Sequence, residues 1–449
     1  MTSREIDSEL PRNGAAGASS GDLAAVLRGS FWTVLGTVIA QTTVLAANAV
    51  AARLLGAEEY GAYGFCLSTA NLIAVMAATG SALVASRGIA AMRGGSDAGA
   101  MQRHLSRCLV VAIALAVLLA TVMAGASGRL ASAIFRQPRV ESSLLVASLL
   151  GILLAGSLVR CSGLMGLGCF KELAFVRVIA GVTGAALLGV LCLAGSTAIA
   201  LLSAVASAAL TYWLVRRAFL ACLSQKAWSG EGPAASRAET VGRDNTSRLL
   251  LPATAAGMVS TPVIWVCQSI IGNGQSGLRA IAIVTAVSVW LQVVMFIPNN
   301  IAQPLLPLMV SRYAARHVRA DVGGLFAKGL MLIGAVTVVI CLLLAGFCEP
   351  LLKLYGAGFE GQERVFILLV VAAGIQALNI PAVLLLQAYA DLWQHFGFNL
   401  LWAGLMITLT AAFRVDGALG YARASIIAFA AHAVVLHLWA IFRLRSVHG

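Results

Sequence analysis

The sequence predicts an all-α polytopic membrane protein of twelve transmembrane helices in two six-helix lobes, and three observations carry that prediction. Of its 449 residues, 60% are hydrophobic and only 11% charged, with a mean hydropathy of +0.90, a balance that no soluble core accounts for. Apolar runs long enough to cross a hydrocarbon layer of about 30 Å, which takes about 20 helical residues, can be placed twelve times. A short glycine-bearing turn also recurs: Leu54, Leu55, Gly56 and Gly61 match Ile270, Ile271, Gly272 and Gly277, each 216 residues later. An offset close to half the chain marks two copies of one unit.

In chain order, residues 1–27 are polar, rich in Gly, Ala and Ser, and lack the apolar centre of a cleavable signal peptide, so they read as a disordered cytoplasmic tail. The first lobe, 28–217, holds apolar runs at 29–52, 60–84, 107–126, 142–166, 174–194 and 196–215. A hydrophilic link, 218–247, joins it to a second lobe, 248–443, with runs at 249–271, 280–303, 326–348, 365–388, 395–413 and 417–442. Residues 444–449 form a short cytoplasmic tail. The repeat continues beyond the turn, with Gly125 matching Gly346 at an offset of 221 and the link 166–178 matching 388–400 at 222. Two halves of six spans run in the same direction, so their axis lies along the membrane normal.

Orientation follows from Lys and Arg, which cytoplasmic loops retain. The side with the termini and even-numbered loops holds 21 of the 31, the opposite side 9, and Arg160 lies inside a span. Both termini are therefore expected in the cytoplasm. The net charge of +13 is spread through short connections rather than gathered with aromatics on one face, so no nucleic acid is expected as a partner. Nine cysteines lie in or beside apolar runs with no CxxC pair, which reads as small buried hydrophobes and not as a metal site.

The segments RLLGAEEYGAYG (53–64), GLGCFKELAFVRV (166–178), PLLPLMVSR (304–312) and EPLLKLYGAGF (349–359) resemble, in their order over residues 28–443, the polysaccharide-flippase (Wzx-like) branch of the multidrug/oligosaccharidyl-lipid/polysaccharide (MOP) exporter superfamily. That resemblance implies a MATE-like, alternating-access flippase of a bacterial inner membrane. Its cargo would be a polyprenyl-diphosphate-linked oligosaccharide carried from the cytoplasmic to the outer leaflet for cell-surface or exopolysaccharide synthesis. The implied partners are that lipid-linked oligosaccharide, membrane lipid and the polysaccharide polymerase machinery. No catalytic residue and no cofactor is expected.

Charge inside a span is expensive and usually faces an aqueous cavity. Arg160, Arg87 and Arg177 are the candidate diphosphate-binding residues, since guanidinium grips phosphate bidentately; snorkelling to the headgroups is the other reading of Arg160, and positive-inside anchoring is the other reading, and the favoured one, of Arg87 and Arg177. The repeat places Gln303, Pro381 or Ala382, and Asn399 opposite Arg87, Arg160 and Arg177, so the cations belong to the first half alone. Gln41, Asn48, Asn71, Gln268, Gln292, Asn299 and Asn300 are candidate cavity amides, each offering donors and acceptors to sugar hydroxyls. Ordinary interhelical hydrogen bonding is the alternative for each. Pro252, Pro262 and Pro298 are candidate hinges, because proline deletes a ladder bond and bends a helix; a fixed packing bend is the other reading.

A cation-coupled multidrug exporter of the same superfamily is the nearest competing function. It is disfavoured by the lack of any Asp or Glu within a core span, Glu172 and Asp391 lying at span ends. A membrane-embedded polymerase or ligase would need a large outer loop, and the outer links are short. An ATP-driven exporter would need a GxxxxGK[ST] loop, and the sequence has none.

Overall fold

A computed structural model describes residues 20–92, 98–135, 137–225, 251–252, 254–314 and 320–445. The expected tail up to residue 19, most of the expected central link and the last four residues lie outside the described residues. The described chain is almost entirely helical, with no strand among these residues. Among the described residues, thirteen α-helices have defined bounds, and eleven candidate spans are long and apolar enough to cross a membrane.

Helix α1, Ser20–Met92, carries the first two apolar runs and is bent at Gly56, where φ is 76° and ψ 170°. An L side chain rarely adopts that conformation, so glycine permits the bend. The chain turns back on itself there: Tyr60 donates its hydroxyl hydrogen bond to Asn48 Oδ1 at 3.0 Å, whereas residues this far apart would lie about 18 Å apart along a straight helix. What reads in sequence as a loop of several residues is thus a single-residue reversal between two long helices.

The remainder of the first half is α2 (Ala98–Ala133), α3 (Val140–Leu167), α4 (Phe170–Leu191) and α5 (Thr197–Gln225). Helix α3 is the centre of this half, packing on α1, α2 and α5. Helix α5 runs ten residues beyond the apolar run ending at 215, which carries Arg216 and Arg217 onto the bundle. Large apolar side chains cover the outer faces of the helices, among them Val110, Leu118, Met331 and Leu342. That surface suits lipid, not water.

The second half is α6 (Ser260–Gly272), α7 (Gly277–Ala314), α8 (Ala320–Gly346), the short α9 (Cys348–Lys353), α10 (Glu363–Leu378), α11 (Ile380–Ala388), α12 (Leu392–Ala412) and α13 (Ala418–Arg445). The expected span 365–388 is interrupted at Asn379. Pro381 sits in the first turn of α11, has no N–H to give the carbonyl four residues back, and so ends the helical ladder immediately upstream. Pro262 lies in the first turn of α6, just past a bend at Val259. Pro252 is in a helical stretch, and α7 passes through Pro298 without interruption. The halves meet chiefly where α1 packs on α6, α7 and the 3-10 turn Ala357–Phe359.

Candidate functional site: a sealed end and two polar spaces

The two glycine turns come together at one end of the bundle. A Cβ on Gly61 would fall 2.0 Å from the Leu278 carbonyl oxygen, and one on Gly64 would fall 2.3 Å from Thr285 Oγ1. Only glycine lets these two helices approach so closely. Around this contact Tyr60 packs with Tyr355 and Phe359, and Phe65 with Phe135 and Trp265. Arg53 ties the bend to the other half, donating from Nε to the Leu354 carbonyl at 2.8 Å and from Nη2 to that of Lys353 at 2.9 Å. This end is closed by packing between the halves.

The polar spaces lie toward the opposite end. A cavity of about 310 Å³ between α2, α3 and α5 is lined by Gln102, Ser106, Arg160 and Arg216, with Leu105, Leu109, Phe219 and Leu220 as its apolar walls. Arg160 is half-buried, donates from Nη2 to the Tyr212 hydroxyl at 3.0 Å, and holds its guanidinium carbon 4.1 Å from the centre of that ring. Stacking and the hydrogen bond fix the guanidinium plane. Its buried Nε has no partner among the described residues, so the group retains a donor. Arg87 and Arg177 are exposed and do not line this cavity. Arg216 does.

A larger cavity, about 610 Å³, lies within the second half between α6, α7, α10, α11, α12 and α13. Gln292, Gln376, Asn379, Gln387, His395, Asn399 and His432 line it, together with Trp402, Tyr421 and Phe429. No Asp, Glu, Lys or Arg is among its lining residues. The break after α10 places Asn379 on this wall. It is 4% exposed, and neither its Oδ1 nor its Nδ2 has a partner among the described residues; His432, 8% exposed, is likewise unpartnered at Nε2. Asn399 donates to the Ala256 carbonyl at 3.1 Å.

Of the amides expected to line a cavity, Gln292 and Asn299 line this one, and Gln41 donates to Gln292 across the halves at 3.2 Å. Asn48 is committed to the Val44 carbonyl and the Tyr60 hydroxyl, and Asn300 to the Phe296 carbonyl. Asn71 is exposed, whereas Gln268 is buried with no partner for Oε1 among the described residues. Sequence reasoning passed over Arg216, Asn379, His395 and His432. The sequence has no CxxC pair, yet Cys169, Glu172 and Cys222 bring potential ligand atoms within 4.8 Å of one another; this is one fewer ligand than a structural zinc site uses.

Solved structures share this fold. A multidrug resistance MATE family transporter of the MOP superfamily in an inward-facing conformation aligns at a TM-score of 0.69 and 14% identity, covering 93% of this chain and 99% of that one. An outward-facing structure, similarly described, aligns at 0.63 and 15%, covering 95% and 96%. MATE in a bent conformation aligns at 0.61 and 14%, covering 94% and 96%. No curated protein sequence matches the chain. Residues 26–310 match the family described as polysaccharide biosynthesis protein, well over half of the 449 residues, and the chain therefore belongs to that family.

Proposed function

We propose that this protein is a flippase that moves a polyprenyl-diphosphate-linked oligosaccharide from the cytoplasmic to the outer leaflet of a bacterial inner membrane. The observation that carries this reading is a pocket between three helices of the first half that brings together two guanidinium groups, half-buried Arg160 and exposed Arg216, with exposed Gln102 and Ser106 beside them. Such a set matches a diphosphate: charge-assisted donors on two sides, one of them, Arg160, oriented by stacking on Tyr212. Membership of a polysaccharide biosynthesis family supports the glycan, and the apolar outer faces leave the polyprenyl chain in lipid.

In this reading α1 counts as two spans, making twelve, and the termini are cytoplasmic. The glycine-sealed end then faces outward and the polar spaces open inward. Transport follows when the seal parts and the opposite end closes, by rocking of one half against the other. Arg87 and Arg177, exposed near the entrance, would attract the anionic headgroup instead of gripping it. A multidrug exporter shares the fold, but among the described residues no carboxylate lines either cavity, which removes the usual seat for a coupling cation. Neither cavity brings an acid and a base together as a polymerase or ligase would require.

Cells lacking the protein test the reading. Lipid-linked glycan should accumulate on the cytoplasmic leaflet, inaccessible to an impermeant sugar oxidant; unaltered exposure on the outer leaflet would remove the proposal.

A further inference from the structure

The larger cavity carries an inference about what the cargo is. Building on the flippase reading, we infer that the second-half cavity is a glycan-recognition site selective for uncharged sugars, with Asn379 and His432 as its specificity-determining residues. Two buried polar side chains without partners are the first ground. A buried amide left with neither donor nor acceptor satisfied is costly, and Asn379 leaves both atoms open while lining the cavity wall. His432 Nε2 adds a third open position from α13. A sugar hydroxyl, which both donates and accepts, satisfies amide and imidazole alike.

The second ground is what the lining lacks. With no Lys or Arg among the residues that line the cavity, a uronic or other acidic sugar would lose its hydration and meet no opposite charge there, a penalty that neutral hydroxyls escape. The third is shape: Trp402 and Phe429 lie with ring centres 5.3 Å apart, and both line the cavity. They form an apolar wall against which the C–H face of a pyranose ring packs. A volume of about 610 Å³ falls within the range of about 300–1,000 Å³ usual for small-molecule sites.

The test uses the full-length protein in lipid nanodiscs and three defined ligands: undecaprenyl diphosphate, the same lipid bearing a neutral di-N-acetylglucosamine unit, and the same lipid bearing N-acetylglucosamine joined to glucuronic acid. Dissociation constants are read by native mass spectrometry. The neutral glycan should tighten binding roughly tenfold over the bare lipid, and the acidic one should add nothing. Asn379→Ala and His432→Ala should each erase most of that gain without changing affinity for the bare lipid. Gln387→Lys, at an exposed position on the same wall, should raise affinity for the acidic glycan, a gain that misfolding cannot produce. Equal tightening by both glycans, or a neutral-sugar gain that survives both alanine substitutions, overturns the selectivity while leaving the flippase reading standing. Failure to bind even bare undecaprenyl diphosphate removes the flippase reading and this inference with it.

Discussion

Of two polar spaces toward one end of the described residues, one in each half, one is cationic and the other is lined by no carboxylate, ammonium or guanidinium group. In the first half, Arg160 and Arg216 share a cavity of about 310 Å³; in the second, amides, imidazoles and aromatic rings line about 610 Å³. Asn399, which the sequence repeat sets opposite Arg177, lines the neutral cavity, whereas Arg177 is exposed and lines neither. The two halves thus offer different chemistry to a bound molecule. A cargo with an anionic centre and a hydroxyl-rich head would use that difference.

The largest predicted effect breaks the cationic side. Arg160→Ala combined with Arg216→Ala should slow flipping about 100-fold or more, since each charged hydrogen bond contributes roughly 1.5–3 kcal/mol; initial rates in proteoliposomes measure it. Arg160→Lys should recover only part, because ammonium lacks the planar fork that stacks on Tyr212. Unchanged rates in the double variant would dissolve the contrast between the halves.

A second prediction concerns the seal that sets both spaces toward one end. Gly61→Val places a side chain against the Leu278 carbonyl, and overpacking of this kind costs about 1–3 kcal/mol. The sealed state should lose population by roughly tenfold. In a variant retaining Cys66 as its only cysteine, a residue fully buried beside the seal, thiol labelling should accelerate correspondingly. Labelling at the parental rate would show that the glycine contact does not hold the halves together.

Smaller effects sharpen the comparison. Gln41→Leu removes the hydrogen bond that joins the first half to the neutral cavity through Gln292; at about 0.6 kcal/mol for such bonds in membranes, transport should change by no more than about threefold. At the sealed end, Lys353 holds the Glu349 carboxyl below its usual range through a hydrogen bond. That stabilisation is present above the ordinary carboxylate pKa and lost as pH falls through the lowered one. Both groups are fully exposed, so Lys353→Ala should leave the melting temperature and its course between about pH 7 and pH 5 unchanged.

Much of the fold was legible because a bilayer demands long apolar helices, and nothing else in the chain competes with that signal. The Gly56 bend was visible as half of a repeated glycine pattern, and Arg160 stood out as a charge inside a span. Other features needed the third dimension. Arg216 follows an apolar run that ends at 215, which reads as a span end; α5 continues to Gln225 and brings it beside Arg160. Asn379, His395 and His432 are single polar residues on separate helices, and only packing reveals that they share a wall. Conversely, Asn48 and Asn300 look like cavity amides in sequence but spend their hydrogen bonds on their own helix and on Tyr60. Local sequence cannot distinguish those two fates, because both place an amide in an apolar run.

Flipping by the protein alone is the claim on which the rest depends. Purified protein reconstituted into sealed liposomes with fluorescent undecaprenyl-diphosphate-linked di-N-acetylglucosamine in both leaflets, with outer-leaflet dye then quenched by dithionite, measures it directly. The account predicts that quenching proceeds past the outer-leaflet half toward completion, and that it stops near half in liposomes carrying the Arg160→Ala, Arg216→Ala protein. Arrest near half with the parental protein, under an imposed proton or sodium gradient of either sign as well as without one, would contradict it.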